Sequence, residues 1–308
     1  MTIPQPTNIR LEINNICPDF VDFWAEARDQ KPSLQKKLWH ERYRQRHEAI
    51  FDVYFSRYGR LSSLDTALLQ FEATANKVQQ LAPQLTQQIE RLAQASAQLF
   101  AADRADLQFV LLVGLFNSDA WVTELNGRLT TFLALEAKTN SRLSVLEVTI
   151  AHELAHAFHG ELSQLKMNST MVGEGLFLEG LAVLASTILV PERKTADYLC
   201  PGGNQTATGQ DCAAWLAECK AQMPFLRQRL LQDLKISDEN VYASYFWNRP
   251  QSQQAGIPLR SGYVVGYQLV KALHSRYSIA EMARWSPQQT IFEIRHALNE
   301  SIGGTSGH

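Results

Sequence analysis

"AHELAHAFHGE", residues 151–161, sets two histidines four positions apart with a glutamate directly after the first. On an α-helix this spacing places His152 and His156 one turn apart on one face, so both imidazoles can address a single ion. The flanking residues make that helix an interior one: "VLEVTIA" leads into it, and Leu154, Ala155 and Phe158 leave it apolar nearly all round. Two imidazoles and a carboxylate held in such a helix are costly unless hydrogen-bonded or metal-bound. That cost favours a bound metal over a pair of satisfied core histidines.

Glu153, one position on from His152, falls beside the ion and outside its ligand set. Its carboxylate can take a proton from a zinc-activated water and pass it to a leaving group. Amide hydrolysis asks for this combination of Lewis acid, nucleophile and proton shuttle. A hydrolytic zinc site also needs a third protein ligand and one open position. Leu162 stands where the metzincin pattern demands a histidine, which excludes that class. Two glutamates follow in "VGEGLFLEGLAVLAS", residues 172–186. Gly173 and Gly175 bracket Glu174 and mark a turn or helix start, whereas Glu179 sits inside an apolar helix, where an unpaired carboxylate is costly. Glu179 is therefore the preferred ligand. Glu174 reads as an N-terminal helix charge or as a partner that orients a histidine.

The rest of the chain supplies the frame. With 308 residues and 45% hydrophobic side chains it can fill one large domain or two modest ones. A formal charge of -2, from 29 basic and 31 acidic residues, creates no broad field. Neither nucleic acid nor a membrane surface is an expected partner. The opening "MTIPQPTNIRLEINN" lacks the pattern of a secretory signal, and the apolar run "GLAVLASTILV" meets Pro191 well short of the roughly 18 residues a bilayer requires. A soluble, cytoplasmic protein is expected. Cys17, Cys200, Cys212 and Cys219 show no C-x-x-C spacing, and free thiols are expected, with Cys200 and Cys212 able to pair across a Gly-rich loop in an exported protein.

Along the chain, a proline-containing leader precedes a long amphipathic helix from Ser33 to Gly59, and the helical pattern continues to Phe100 with Pro83 splitting or kinking it. "LQFVLLVGLF", from Leu107, is a short apolar run that suits a buried strand. "AWVTEL" and "LTTFLALE" flank Asn126-Gly127, whose residues tolerate the positive φ of a type I′ turn. Two or three antiparallel strands are expected between Leu107 and Glu136. Helices follow from about Ser144 to Gly160 and about Val172 to Leu189, then a loop in "CPGGNQTATGQDC", then mostly helix.

"HELAH" followed by "FLEGLA" resembles the gluzincin peptidases, in which H-E-x-x-H is completed by a glutamate in an E-G-x-A run on the next helix. The interval to Glu179 is a few residues longer than in thermolysin-like enzymes, no G-A-M-E-N signature occurs, and Val183 stands where thermolysin-like enzymes carry an aspartate. The order of helical N-terminal part, H-E-x-x-H helix, E-G-L-A helix and late "SGYVVGYQLVKAL" (Ser261–Leu273) also resembles a bacterial family of predicted Zn-dependent proteases formerly described as a domain of unknown function. That likeness runs from Leu107 to Leu273.

The resemblance implies a mainly helical α+β fold: an N-terminal helical region over residues 1–104, packed on a zincin-like core over residues 105–308 with a small antiparallel sheet. It implies that His152, His156 and Glu179 bind one Zn²⁺ and that Glu153 is general base and acid in hydrolysing a peptide or protein substrate. Tyr263 is the candidate donor to the oxyanion and Arg260 a candidate clamp for a substrate carboxylate, with aromatic packing in a helix interface as the alternative. An edge strand, in "LTTFLALE" or "AWVTEL", would pair with extended peptide. Glu136 would close that strand as a surface charge or reach a substrate amine. His40, His47, His159 and His274 read as packing or surface residues. Two rivals stand beside this reading: a non-catalytic binding module on a zincin scaffold, and a zinc hydrolase of a non-peptide amide or ester. Glu153 discriminates against the first, because metal binding alone does not need it.

Overall fold

The computed structural model describes residues 8–137, 142–163, 169–200, 211–247, 252, 254 and 256–303. Its sheet has four strands in the order β1-β2-β4-β3: β1 (Asn8–Asn15), β2 (Arg104–Leu112), β3 (Ala120–Leu125) and β4 (Arg128–Ala134). β2 carries the apolar run into the centre of the sheet. Phe109, Val110, Leu111 and Leu112 are fully buried, as expected of a strand covered on both faces. The β3–β4 hairpin turns at Asn126 and Gly127, with φ of 52° and 77°, the type I′ turn expected from the sequence.

The sheet is mixed, which corrects the antiparallel expectation. β1 runs parallel to β2, with Leu11 opposite Leu107, and β2 runs parallel to β4, with Val110 opposite Phe132. The N-terminal segment expected as a leader therefore supplies an edge strand to the sheet of the following region. Its signal was the alternation of Ile9, Leu11 and Ile13, which turns one apolar face inward.

Helices α1 (Cys17–Ala27), α2 (Pro32–Leu38), α3 (Glu48–Val53) and α4 (Leu64–Leu68) follow β1. The single helix expected from Ser33 to Gly59 is broken: a π turn (Trp39–Arg44) and a 3-10 turn (Gln45–His47) separate α2 from α3, and a second π turn spans Tyr54–Tyr58. These turns aim Trp39, Tyr43, Phe51 and Tyr54 into one core, all at most 1% exposed. The Tyr43 and Tyr54 hydroxyls accept the amides of Val113 (2.9 Å) and Leu115 (2.8 Å), which would otherwise be buried and unpaired where β2 leaves the sheet.

α5 (Phe71–Leu99) runs through Pro83 as one helix, where a split or kink was expected. Pro83 and Gln79 both face solvent, so the carbonyl that loses its donor lies on the solvent side of the helix. α6 (Leu143–Leu162) lies against β3, β4 and α5, and α7 (Val172–Leu189) packs between α6 and α12 (Ser261–Leu273). Between α7 and α12 lie α8 (Thr195–Leu199), α9 (Cys212–Ala221), α10 (Met223–Asp233) and α11 (Glu239–Phe246); α13 (Ile279–Met282) and α14 (Pro287–Gly303) end the described chain. Helix accounts for 67% of the structure, an α+β fold in which helix predominates.

By length and composition α7 is apolar enough to cross a bilayer, longer than the run before Pro191 suggests, but 83% of it is buried inside the fold. Cys200 and Cys212 form a disulfide, which corrects the expectation of four free thiols. Their α-carbons are 6.2 Å apart, within the usual range for a bridge. Cys17 and Cys219 are free and buried. Residues 201–210, where a loop was expected between the paired cysteines, lie outside the described residues.

Candidate metal centre

α6 and α7 position the site because each is apolar on nearly every side. Leu146, Ile150, Leu154 and Phe158 on α6, with Leu176, Leu181 and Val183 on α7, are at most 1% exposed and fix the two axes against each other. The face that remains carries His152 and His156 from α6 and Glu179 from α7.

α12 crosses α7 closely at two glycines. A β-carbon on Gly180 would run into the Gly266 carbonyl, and one on Gly266 into the Leu176 carbonyl. No larger residue fits either position without separating the helices. Glu179 is next to Gly180, and Tyr263 is one turn before Gly266, so this crossing sets the tyrosine beside the glutamate.

The three side chains converge to one point. The Nε2 atoms of His152 and His156 are 3.1 Å apart, and Glu179 Oε2 lies 3.2 Å from the first and 3.5 Å from the second. A tetrahedral zinc with bonds of about 2.0–2.2 Å spaces its N and O donors by roughly 3.3–3.5 Å. The three edges observed bracket that spacing. All candidate ligand atoms of this trio lie within 4.8 Å of one another, and each side chain retains between 11% and 17% exposure, which leaves an approach from solvent. The donor set therefore fits a zinc ion.

Burial alone would push the Glu179 carboxyl up, but the two imidazoles outweigh it and hold the group well below the usual carboxylate range. His156 is pushed down by burial and pulled further up by Glu179. Glu153 lies on the same helix, 8% exposed and outside the converging trio. Burial raises its carboxyl, the charges of His152 and His156 oppose the rise, and Glu179 and Asp119 add to it.

Tyrosines wall the site. The Tyr263 ring lies nearly parallel to that of His152 (20°, centroids 6.1 Å apart), and the Arg260 guanidinium sits 4.1 Å above the Tyr263 ring. Burial and then the Glu179 charge raise the Tyr263 phenol, so it stays protonated and able to donate. Tyr242 of α11 was not singled out in the sequence. Burial and then Glu179 raise its phenol too, and its ring packs where a β-carbon on Gly175 would lie. The signal was weak, since "ENVYASYF" carries no metal-site pattern. Tyr58 stacks on Trp121 of β3 (4.6 Å, 16°) and feels the charge of Glu153.

Other candidates fall away from the centre. Glu174 is in the first turn of α7, buried, and outside the converging trio. Glu136, expected as a surface charge, is 2% exposed in the turn after β4: its Oε1 and the Tyr54 phenol both lie against Gly114, and Phe116 donates its amide to Oε1 at 3.2 Å. His159 is buried against Phe177, His47 pairs with Asp19 at 2.7 Å, and His40 and His274 are exposed.

A family model described as "Predicted Zn-dependent protease (DUF2268)" matches residues 78–292. The chain belongs to this family. The DUF2268 match takes in β2 to β4, both metal-site helices and α12, and it begins in the N-terminal region, in the first third of α5. No curated protein and no solved structure matches the chain.

Proposed function

We propose that this DUF2268 member is a zinc peptidase of gluzincin type, with His152, His156 and Glu179 holding the metal and Glu153 moving the proton. The carrying observation is the N₂O trio, whose edges of 3.1, 3.2 and 3.5 Å are close to the donor spacing of a tetrahedral zinc site. Zinc held there supplies Lewis acidity to a carbonyl and to water.

The chain's own groups do the rest. The Glu153 carboxylate accepts the proton released as water attacks and returns it to the leaving amine, and burial raises its proton affinity toward that exchange. Tyr263 keeps its phenol proton and donates a hydrogen bond to the oxyanion. β3 is the outer strand of the sheet beside α6 and offers its edge to an extended peptide. β4, the other sequence candidate, is paired on both sides and cannot.

Glu153→Gln is the test: zinc content stays at the wild-type level, while cleavage of a peptide library falls by a factor of about 10² or more. Undiminished cleavage in that variant would overturn the mechanism.

A further inference from the structure

Half of the arginines among the described residues have a carboxylate within 4.0 Å, Arg28, Arg42, Arg46, Arg91, Arg128 and Arg229 among them. Arg260 has none among the described residues. It caps the N-terminus of α12 with φ of 59°, in the left-handed region where a long side chain is strained and glycine is not. Its guanidinium sits 4.1 Å from the centre of the Tyr263 ring, which in turn faces His152. An unpaired, half-buried cation held at a strained position against a metal-site wall has its donors free for a ligand. Arg57 adds to this field, since its charge reaches the phenols of both Tyr58 and Tyr242. With zinc in place, the charges of the ion, Glu153 and Glu179 cancel, so neither arginine is neutralised by the catalytic groups.

We propose that Arg260 binds a carboxylate of the substrate, so that the site selects peptides with a negative charge close to the cleaved bond. The proposal rests on the peptidase reading and names its substrate class. The guanidinium is planar and always charged, and it binds a carboxylate with two parallel N–H donors while keeping one face on Tyr263. An extended chain advances about 3.3–3.6 Å per residue. Steps of 4.1 Å from Arg260 to Tyr263 and 6.1 Å from Tyr263 to His152, with about 4 Å more from guanidinium to bound carboxylate, place that carboxylate within about four residues of the scissile bond. Either a C-terminal carboxylate or an Asp or Glu side chain supplies that chemistry.

The test is retention of peptides on immobilised, zinc-loaded, full-length Glu153→Gln protein, read by mass spectrometry without turnover. Three libraries of one random core are compared: free C-terminal carboxylate, C-terminal amide without acidic residues, and C-terminal amide with one Asp or Glu. At least one acidic library is retained at least tenfold over the neutral one. Retention of the first alone assigns the C-terminal carboxylate, and retention of the third assigns a side chain. Adding Arg260→Gly removes the preference, and Arg260→Lys keeps part of it. Arg260→Gly also relieves the left-handed strain, so an unchanged or raised Tm separates lost binding from lost folding. Equal retention of all three libraries, no retention of any, or a preference that survives Arg260→Gly overturns the proposal. A separate assay of wild-type cleavage on the same libraries tests the peptidase reading, and its failure leaves the retention result to judge Arg260.

Discussion

Replacing Glu136 by glutamine should stabilise the protein at neutral and alkaline pH and leave it nearly unchanged in acid. Glu136 is 2% exposed; its Oε1 accepts the Phe116 amide, and its Oε2 has no hydrogen-bond partner among the described residues. Burial pushes the carboxyl from 4.5 up to about 7, against the amides of Gly114, Glu136 and Phe116 and the charge of Lys77, which pull it down. In the unfolded chain the group titrates near its ordinary value. The folded state thus binds the proton more tightly, and stability is fully present below pH 4.5 and falls as pH rises to about 7. At about 1.4 kcal/mol for each tenfold in proton affinity, the loss is on the order of 3 kcal/mol. Glutamine presents the same carbonyl to Phe116 and carries no charge, so the variant escapes it. For a chain of this length the gain at about pH 8 amounts to roughly 5 °C in Tm. Thermal unfolding of both proteins with a chelator present, followed by circular dichroism at about pH 4.5, 6 and 8, separates this effect from pH-dependent metal binding. A difference that does not change with pH, or a variant less stable than wild type at pH 8, would refute the reasoning.

Gly266→Ala drives a β-carbon into the Leu176 carbonyl and should lower stability by about 1–3 kcal/mol. Because the same crossing places Tyr263 beside Glu179, zinc affinity in a competition titration should fall as well; an unchanged Tm would mean that α7 and α12 do not meet at these glycines. The Cys200–Cys212 bridge closes a separation of 12 residues. Cys200→Ser with Cys212→Ser should therefore cost about 2–3 kcal/mol by denaturant unfolding, and no loss would contradict a formed bridge.

The pieces of the candidate site were legible because each had a local signature. His152 and His156 show their common face in a spacing of four, and the bounds of α7, Val172–Leu189, follow from an apolar run with glycines at its start. The Asn126-Gly127 hairpin was equally local. What could not be read depends on distant partners. Parallel pairing of β1 with β2 and of β2 with β4 joins segments about a hundred and about twenty residues apart, and no local pattern sets it. The π turns in the 39–58 stretch carry Tyr43 and Tyr54, whose hydroxyls meet the end of β2 some sixty to seventy residues away. Glu136 looked like a surface charge because groups it is buried near, such as the Tyr43 and Tyr54 phenols that feel its charge, lie far upstream. Tyr242 reaches the metal site only through the packing of α11 on α7 and α12. The disulfide needed α-carbons brought to 6.2 Å, a distance that composition does not encode.

Zinc stoichiometry of the purified full-length chain tests the central claim most directly. After loading and dialysis, wild type and Glu153→Gln should each hold one equivalent, His152→Ala and Glu179→Ala should hold far less, and Glu174→Ala should lose less than Glu179→Ala. Zinc retained at one equivalent in His152→Ala, or absent from the wild-type protein, would contradict the metal centre built by His152, His156 and Glu179.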